Sequence, residues 1–276
     1  MTETFLSLLE KHVQDSSSLI CIGREPHIRD LPNPSVASAL DFSLNLVRQT
    51  APYTAAFILN QAYFEIFGVE YLTIIKQVVD AIHRESTQLG STIPIILDAR
   101  LSDIGSAAEA YAKSAFDNLD VHCITINPYL GKDSIEPFIQ NPERGAFILA
   151  KTSNAGSMDV QNTLVLPSGS DSPMPIYMYI AHLAQEWNMN NNIGIIVGAA
   201  HPKIYSMMRA NLPDLWFLSS GINTQNGELE LALKAGSRAD GKGILVHVSN
   251  SIARAVDTPA KAAKDLRDKI LRIVTI

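Results

Sequence analysis

Eight short apolar runs, rich in β-branched residues, recur along the chain with helix-like stretches between them. A parallel strand covered on both faces reads as such a run, and the intervening lengths suit helical crossovers. Eight strand–helix units fill a closed barrel, so this rhythm predicts a single (β/α)8 TIM barrel of the α/β class over residues 1–276. Length alone would also fit two average domains. The predicted strands cover residues 19–22, 55–59, 93–97, 122–126, 146–150, 193–197, 216–218 and 244–248.

Helical periodicity and capping residues predict the crossovers between these strands. An extra helix is expected before residue 19. Residues 155–175 follow the fifth strand and are rich in Gly, Ser, Pro and Asp, which favours a lid over a disordered insert, although both interpretations stay open. The predicted crossover helices cover residues 36–50, 69–89, 107–116, 175–189, 202–209, 229–235 and 259–274.

Composition narrows the class of partner. The 22 basic and 28 acidic residues give a formal charge of −6 without a basic block, which argues against a nucleic-acid or membrane-surface role. No transmembrane-length apolar run or secretory signal pattern is present, so the cytoplasm is the expected location. Cys21 and Cys123 lie in apolar strand-like runs and are predicted to be two reduced core thiols. No metal site is expected, since zinc-type ligand spacing is missing.

The third run ends in an acid, a base and another acid. Asp98, Arg100 and Asp103 follow the apolar residues 93–97 at spacings i, i+2 and i+5. If the strand continues to Arg100, the side chains of Asp98 and Arg100 point to the same side, while Asp103 lies on the loop beyond. Because barrel enzymes react substrates at the carboxyl ends of their strands, this is a candidate active site. A purely structural ion-pair network is the alternative.

The segment Asp98-Ala99-Arg100-Leu101-Ser102-Asp103-Ile104-Gly105 resembles the Asp-Ala-Lys-Arg-Gly-Asp-Ile-Gly motif of orotidine 5′-phosphate decarboxylases, particularly the longer bacterial subgroup. Similar matches occur in the same order at most other strand ends, from about residue 19 to 255. They are Cys21-Ile22-Gly23 with Pro26, Asn127-Pro128-Tyr129-Leu130-Gly131, Thr152-Ser153-Asn154, Val197-Gly198-Ala199, and Gly221 with Gln225 and Gly227.

This resemblance implies a lyase that converts orotidine monophosphate (OMP) to uridine monophosphate (UMP) and CO2 in de novo pyrimidine synthesis, without metal or organic cofactor. The family works as a homodimer and places two lysines and two aspartates against the pyrimidine. Asp98 and Asp103 match the aspartates, and Asp103 would reach the partner subunit's site. The remaining matches imply that Ser153 faces the base, that Gln161 links base and phosphate, and that backbone near Gly221 and Gln225 receives the phosphate.

Four positions depart from the family pattern. Arg100 replaces the motif lysine, Asn60 the array's other lysine, Glu25 the ribose-binding aspartate and Asn250 the phosphate-binding arginine. Arginine keeps the positive charge, but it is a poorer proton donor than lysine. Asn60 changes the formal charge of the array from zero to −1. His201 and Lys203, which follow the sixth strand, are the candidates to compensate for the missing phosphate arginine, and the sequence does not decide between them.

Three functions are compatible with these residues. The first is OMP decarboxylation with Arg100 standing in for lysine. The second is a decarboxylation-deficient paralogue that binds a nucleotide or a partner. The third is altered chemistry on a related phosphorylated ligand, with Glu25, Asp98 and Asp103 holding Mg²⁺. Of the remaining polar residues, His247 in the last strand is interpreted as a barrel-core histidine with its hydrogen bonds satisfied.

Overall fold

The eight predicted strands close into a parallel barrel. The computed structural model describes residues 3–169, 171–198, 202–222 and 228–276. The barrel order is β1-β10-β9-β8-β5-β4-β3-β2, with β2 paired back to β1, and β6 and β7 form a separate antiparallel pair. The predicted TIM barrel is therefore confirmed. In chain order the strands are β1 (Ile20–Arg24), β2 (Ala56–Asn60), β3 (Ile95–Leu101), β4 (Cys123–Ile126), β5 (Gly145–Lys151), β6 (Leu164–Val165), β7 (Met174–Pro175), β8 (Ile193–Val197), β9 (Trp216–Ser219) and β10 (Ile244–Val248).

Helices surround the barrel at the predicted places, with ends shifted by a few residues. Four further helices of four residues each, α3, α6, α7 and α11, escaped prediction because one turn is too short to show helical periodicity. The α-helices are α1 (Phe5–Ser16), α2 (Val36–Thr50), α3 (Ala62–Glu65), α4 (Tyr71–Leu89), α5 (Gly105–Lys113), α6 (Glu136–Ile139), α7 (Ser157–Val160), α8 (Ile176–Trp187), α9 (Pro202–Asn211), α10 (Glu228–Gly236), α11 (Asn250–Ala253) and α12 (Pro259–Leu271).

Helix α1 covers the amino-terminal end of the barrel. Thr4 caps this helix by accepting a hydrogen bond from the Ser7 N–H. The ring of Phe5 then packs edge-on against Phe147 of β5, with 6.2 Å between ring centroids. Both rings are fully buried. This end of the barrel is thus closed by apolar packing, and the open end lies at the carboxyl ends of the strands, which we call the barrel mouth.

Residues 155–175 are more ordered than the sequence predicts. The segment contains α7 and the antiparallel pair β6–β7, in which Leu164 is the register partner of Pro175. Ser170 lies outside the described residues. Short hydrogen-bonded elements with frequent Gly, Ser and Pro lack a periodic signal, which explains why the sequence suggested an irregular loop.

The two cysteines are buried free thiols, as predicted. Burial raises the pKa of Cys21, and it does the same for Cys123. Neither thiol is therefore poised to ionise near neutral pH. Within the described segments no helix is long and apolar enough to cross a membrane.

Candidate active site

Asp98 is the centre of a polar cluster at the barrel mouth. It lies on β3, is only 6% exposed, and is the register partner of Asn60 on β2. That register brings the Asn60 amide within reach, and its Nδ2 donates to Asp98 Oδ2 at 3.2 Å. A cavity of about 410 Å³ opens beside the pair, lined by residues 60–62, Glu65 and residues 98–101. The predicted neighbours Asn60, Asp98 and Arg100 therefore share one site.

Thr125 of β4 holds this cluster together and was missed by sequence reasoning. Between the register pairs Leu97–Ile124 and Leu101–Ile126, three residues of β3 face one residue of β4. Thr125 lies opposite this bulge of β3, donates its hydroxyl proton to Asp98 Oδ1 at 2.7 Å and accepts from the Arg100 N–H at 3.1 Å. The signal available in the sequence was a single hydroxyl residue within the otherwise apolar run of β4, and the structure buries it fully.

Arg100 adopts an unusual backbone conformation in this bulge. Its φ angle is +51°, in the left-handed region, where a non-glycine residue carries a strain of about 1–2 kcal/mol. Its side chain turns back toward Asp98, with Nε 3.3 Å from Oδ1 and Nη2 3.5 Å from Oδ2. The side chain nevertheless remains 54% exposed. Arg100 thus lies beside Asp98 as predicted, although β3 does not stay regularly extended to reach it.

Asp103 lies beyond β3, immediately before α5, on the loop where the sequence placed it. Its carboxylate accepts a hydrogen bond from the Ile104 N–H at 2.8 Å. Within the described residues this contact is local, and no ion pair ties Asp103 to the Asp98 cluster. The side chain of Ile104 is 56% exposed. This part of the mouth therefore presents a carboxylate beside an exposed apolar residue.

Glu25 lies just after β1, beside His27. One oxygen of Glu25 is 3.6 Å from His27 Nε2, and the His27 ring packs against Tyr63 with 4.3 Å between centroids. The charge of Glu25 also acts on His247 of β10. Both Nε2 atoms are buried without a hydrogen-bond partner. The interpretation of His247 as a histidine with satisfied hydrogen bonds is therefore wrong.

The neighbouring Arg24, at the end of β1, points away from the mouth. It is fully buried, donates from Nη2 to Thr50 Oγ1 at 2.8 Å, and lies 4.2 Å from the centroid of the Phe57 ring. Burial lowers the pKa of Arg24. Because side chains alternate between the two faces of a strand, Arg24 faces the opposite way from Gly23 and Glu25, toward the Thr50 end of α2.

The lid candidate is anchored to the end of β5. Gln161 accepts from the Thr152 N–H at 2.9 Å and donates to Thr152 Oγ1 at 2.8 Å. Buried Lys151 donates to Ser157 Oγ at 3.2 Å and to Asn162 Oδ1 at 3.0 Å. Gln161, predicted to contact base and phosphate, is thus engaged with Thr152, and Lys151 is a second anchor that the sequence did not identify.

The candidate phosphate side is only partly described. Gly221 has a φ of +80°, and a Cβ built there would lie 3.1 Å from Ser153 Oγ, so these two predicted residues are neighbours. Asn250 is the exposed first residue of α11, and Lys203 is an exposed residue of α9. Gln225 and His201 lie outside the described residues. Whether Lys203 compensates for the missing arginine stays a prediction.

Glu25, Asp98 and Asp103 do not form a metal-binding group. In residues 3–169, 171–198, 202–222 and 228–276, no three His, Cys, Asp or Glu side chains are placed together so that they hold a metal ion. Asp98 is instead surrounded by the hydroxyl of Thr125, the amide of Asn60 and the guanidinium of Arg100. The magnesium interpretation has no support from these three carboxylates.

Known proteins share this architecture and much of this sequence. The profile described as "Orotidine 5'-phosphate decarboxylase / HUMPS family" matches residues 34–266. An orotidine 5′-phosphate decarboxylase of Roseiflexus sp. (strain RS-1) is 36% identical over 274 residues, which cover 98% of this chain and 96% of that protein. The structure of Leishmania donovani OMP decarboxylase has a TM-score of 0.84 and 40% identity, with 98% of both chains covered. The chain belongs to the orotidine 5′-phosphate decarboxylase / HUMPS family.

Proposed function

We propose that the chain binds orotidine 5′-phosphate at the barrel mouth and decarboxylates it to UMP and CO2, as a cytoplasmic step of pyrimidine synthesis. The observation that carries this proposal is the Asp98 cluster. A buried carboxylate, held by Thr125 and Asn60 beside the Arg100 guanidinium, lies on the strand whose motif matches the family. The matching of Roseiflexus and Leishmania decarboxylases over nearly their whole length supports the same activity.

In this reaction the bond between C6 of the pyrimidine and its carboxylate breaks, and the bonding electrons stay on C6. CO2 leaves, and C6 takes up a proton. Asp98 and Arg100 would place fixed charges beside the reacting carbon, the kind of preorganised electrostatics that stabilises charge in a transition state. Arginine releases a proton reluctantly, so we expect protonation of C6 to be slower than with a lysine at position 100.

We further propose that the active unit is a homodimer in which Asp103 completes the partner's site. The Asp103 carboxylate has a local backbone contact and projects from a loop rather than from the Asp98 cluster. Beside it Ile104 is 56% exposed, and on the loop after β4 Tyr129 is 87% exposed. Exposed large apolar side chains near a site are typical of a surface that a second protein covers.

Residues 155–175 are proposed to act as the lid of this site. Gln161 holds two hydrogen bonds to Thr152, so a nucleotide that recruits the Gln161 amide must exchange these contacts for its own. Lys151 keeps its bonds to Ser157 and Asn162 at the base of the segment. The lid would then move about an anchored base rather than fold anew around the ligand.

The proposed activity is tested by UMP release from OMP with purified protein. Turnover that exceeds that of the matched variant Asp98→Ala supports the proposal, since this variant removes the central carboxylate. Removing one preorganised group from an active site commonly lowers kcat by about 10²–10³-fold, so the rates of the two proteins should differ clearly. Equal rates for both proteins, at the level of the uncatalysed reaction, would contradict decarboxylation by this site.

A second candidate is a paralogue that binds the nucleotide without decarboxylating it. The observation that favours it is Asn60, which satisfies Asp98 through a neutral amide where the family pattern has a second lysine. Calorimetric titration with UMP and OMP separates the candidates. Binding without product supports the paralogue, whereas the absence of binding for both nucleotides would contradict both candidates.

A further inference from the structure

His247 occupies the floor of the barrel mouth. On β10 it is the register partner of Cys21 on β1, and its ring leans over the next inward-facing position of β1, Gly23. A Cβ built on Gly23 would lie 2.8 Å from His247 Nε2 and 2.9 Å from the Cβ of Ser249. Side-chain carbons do not approach neighbours that closely, so glycine at position 23 is what admits the imidazole.

One nitrogen of the His247 imidazole, Nε2, is buried without a hydrogen-bond partner, which is unusual for a buried polar atom. The large majority of buried side-chain polar atoms are paired, and an exception calls for a specific cause such as a catalytic role or a bound water or ion. The residue as a whole is only partly buried, so it is not sealed within the barrel core. It is therefore placed to respond to a ligand in the mouth.

The charged groups that act on His247 are those of the candidate active site. They are Glu25, which follows β1, together with Asp98 and Arg100 of β3. Cys21, the titratable neighbour on β1, stays a neutral thiol because burial raises its pKa. The three charged groups sum to −1, one guanidinium against two carboxylates. Asn60 and Asn250 add no positive charge where the family pattern has basic residues.

We infer that His247 takes up a proton when an anionic nucleotide binds in the barrel mouth, and so supplies positive charge that Asn60 and Asn250 do not. This inference rests on the nucleotide site of the proposed function, but it does not require decarboxylation. A phosphate monoester brings a charge of about −1.5 to −2 at neutral pH. Negative charge near a base favours its protonated form, and histidine is the side chain that ordinarily titrates close to neutrality.

The direction of the pH dependence follows from the environment of His247. Burial lowers the pKa of this histidine in the free protein, Glu25 and Asp98 raise it, and Arg100 lowers it. The free protein at neutral pH therefore holds a neutral imidazole. A bound anion raises the pKa of His247, so affinity is greatest below that raised pKa and falls as pH increases through it.

Calorimetry with UMP tests this coupling directly. The full chain is titrated at pH 7 in buffers with different ionisation enthalpies, so that the heat reports the number of protons taken up. We expect wild type to take up a larger fraction of a proton than His247→Asn. Between pH 6.5 and 8.5 the UMP affinity of wild type should also fall by a factor about ten times larger than that of His247→Asn, since one pKa unit of coupling corresponds to about tenfold in affinity. The phosphate of UMP titrates identically in both experiments and cancels in the difference. His247→Gln, a second uncharged replacement, should match His247→Asn.

His27 provides the matched control. Its Nε2 is also buried without a partner and lies 3.6 Å from Glu25, yet it belongs to the loop after β1 and packs on Tyr63. His27→Asn should retain the proton uptake of wild type.

Uptake that persists in both His247 variants, or that disappears only in His27→Asn, would overturn the inference while leaving nucleotide binding intact. If UMP does not bind at any pH, the nucleotide site itself is contradicted. Proton-coupled binding without UMP production would uphold the inference and contradict the decarboxylase proposal.

Discussion

Two arginines, one at each end of the barrel, show how differently this fold uses the same side chain. Arg209 lies at the amino-terminal end and packs 3.9 Å from the centroid of the Phe217 ring. Arg100 lies at the mouth, 54% exposed, with Asp98 as its ion-pair partner. The guanidinium of Arg209 donates to the backbone carbonyls of Gly236, Leu212, Pro213, Leu215 and Gly243 at 2.8–3.0 Å.

The difference extends to the residues around them. At the amino-terminal end His12 contacts both Ser91 Oγ and the Thr54 carbonyl, so its two ring nitrogens are engaged. At the mouth His247 Nε2 has no partner, and Arg100 carries backbone strain. Such features are not confined to the mouth, because Asn192 Oδ1 and Ser237 Oγ before β8 and β10 are also buried without a partner, and Ser17, Asp120 and Asn191 also have positive φ. The mouth differs because Asp98 and Arg100 line a cavity of about 410 Å³ there, and we conclude that this end is adapted to a ligand whereas the amino-terminal end stabilises the barrel.

Replacing Arg209 should produce the largest change in stability. In Arg209→Met the apolar stem is kept, but five carbonyls lose the guanidinium as a donor, and of these the Gly243 carbonyl still accepts from the Phe217 N–H. Since each buried group left unpaired costs about 1–3 kcal/mol, and some will recover water, we expect the free energy of unfolding to fall by about 3 kcal/mol or more. Urea denaturation measures this change. UMP affinity of the folded fraction should be unaffected.

Lys261→Met on α12 is the control for that experiment, because Lys261 forms only exposed i, i+4 pairs with Asp257 and Asp265. Its unfolding midpoint should stay close to that of wild type. A comparable loss in both variants, or a loss of nucleotide affinity in folded Arg209→Met, would contradict the separation of the two ends.

Thr125→Val should show the opposite profile, with a smaller effect on stability and a larger effect on function. Valine keeps the volume of threonine but removes the hydroxyl that joins Asp98 to the Arg100 backbone. We expect a loss of about 1–3 kcal/mol in unfolding free energy and a larger relative loss of UMP release, because Asp98 and the strained bulge lose their common support. Thr125→Ser should restore both, since serine returns the hydroxyl. An active Thr125→Val with disrupted folding would reverse the comparison.

The barrel was predictable because its strands are buried on both faces. Runs such as residues 193–197 and 244–248 have the same limits in the structure as in the prediction. The expectation that a barrel site lies at the carboxyl ends of the strands also placed Asn60, Asp98 and Arg100 in one site, since parallel neighbouring strands end at the same edge. These results follow from periodicity and topology, which the sequence records directly.

Side-chain partners were harder to predict. The bulge between β3 and β4 changes register by two residues, so nothing in the apolar pattern predicted that Thr125 faces both Asp98 and Arg100. The place of His247 depends on the missing side chain of Gly23, on another strand. Gln161 bonds Thr152 through contacts that only the folded lid creates. Such contacts depend on register and packing between distant segments, which local patterns do not encode.

The most direct test of the central claim is the rate of UMP release by Arg100→Lys, alone and together with Asn60→Lys. The claim is that the mouth is a decarboxylase site whose turnover is limited by the cation at position 100. General acids commonly contribute about 10²–10⁴-fold, so Arg100→Lys should raise the rate by at least about tenfold, and the double variant should raise it further. Arg238→Lys, the same exchange at the amino-terminal end, should leave the rate unchanged. Equal rates for wild type, Arg100→Lys and the double variant would contradict the claim.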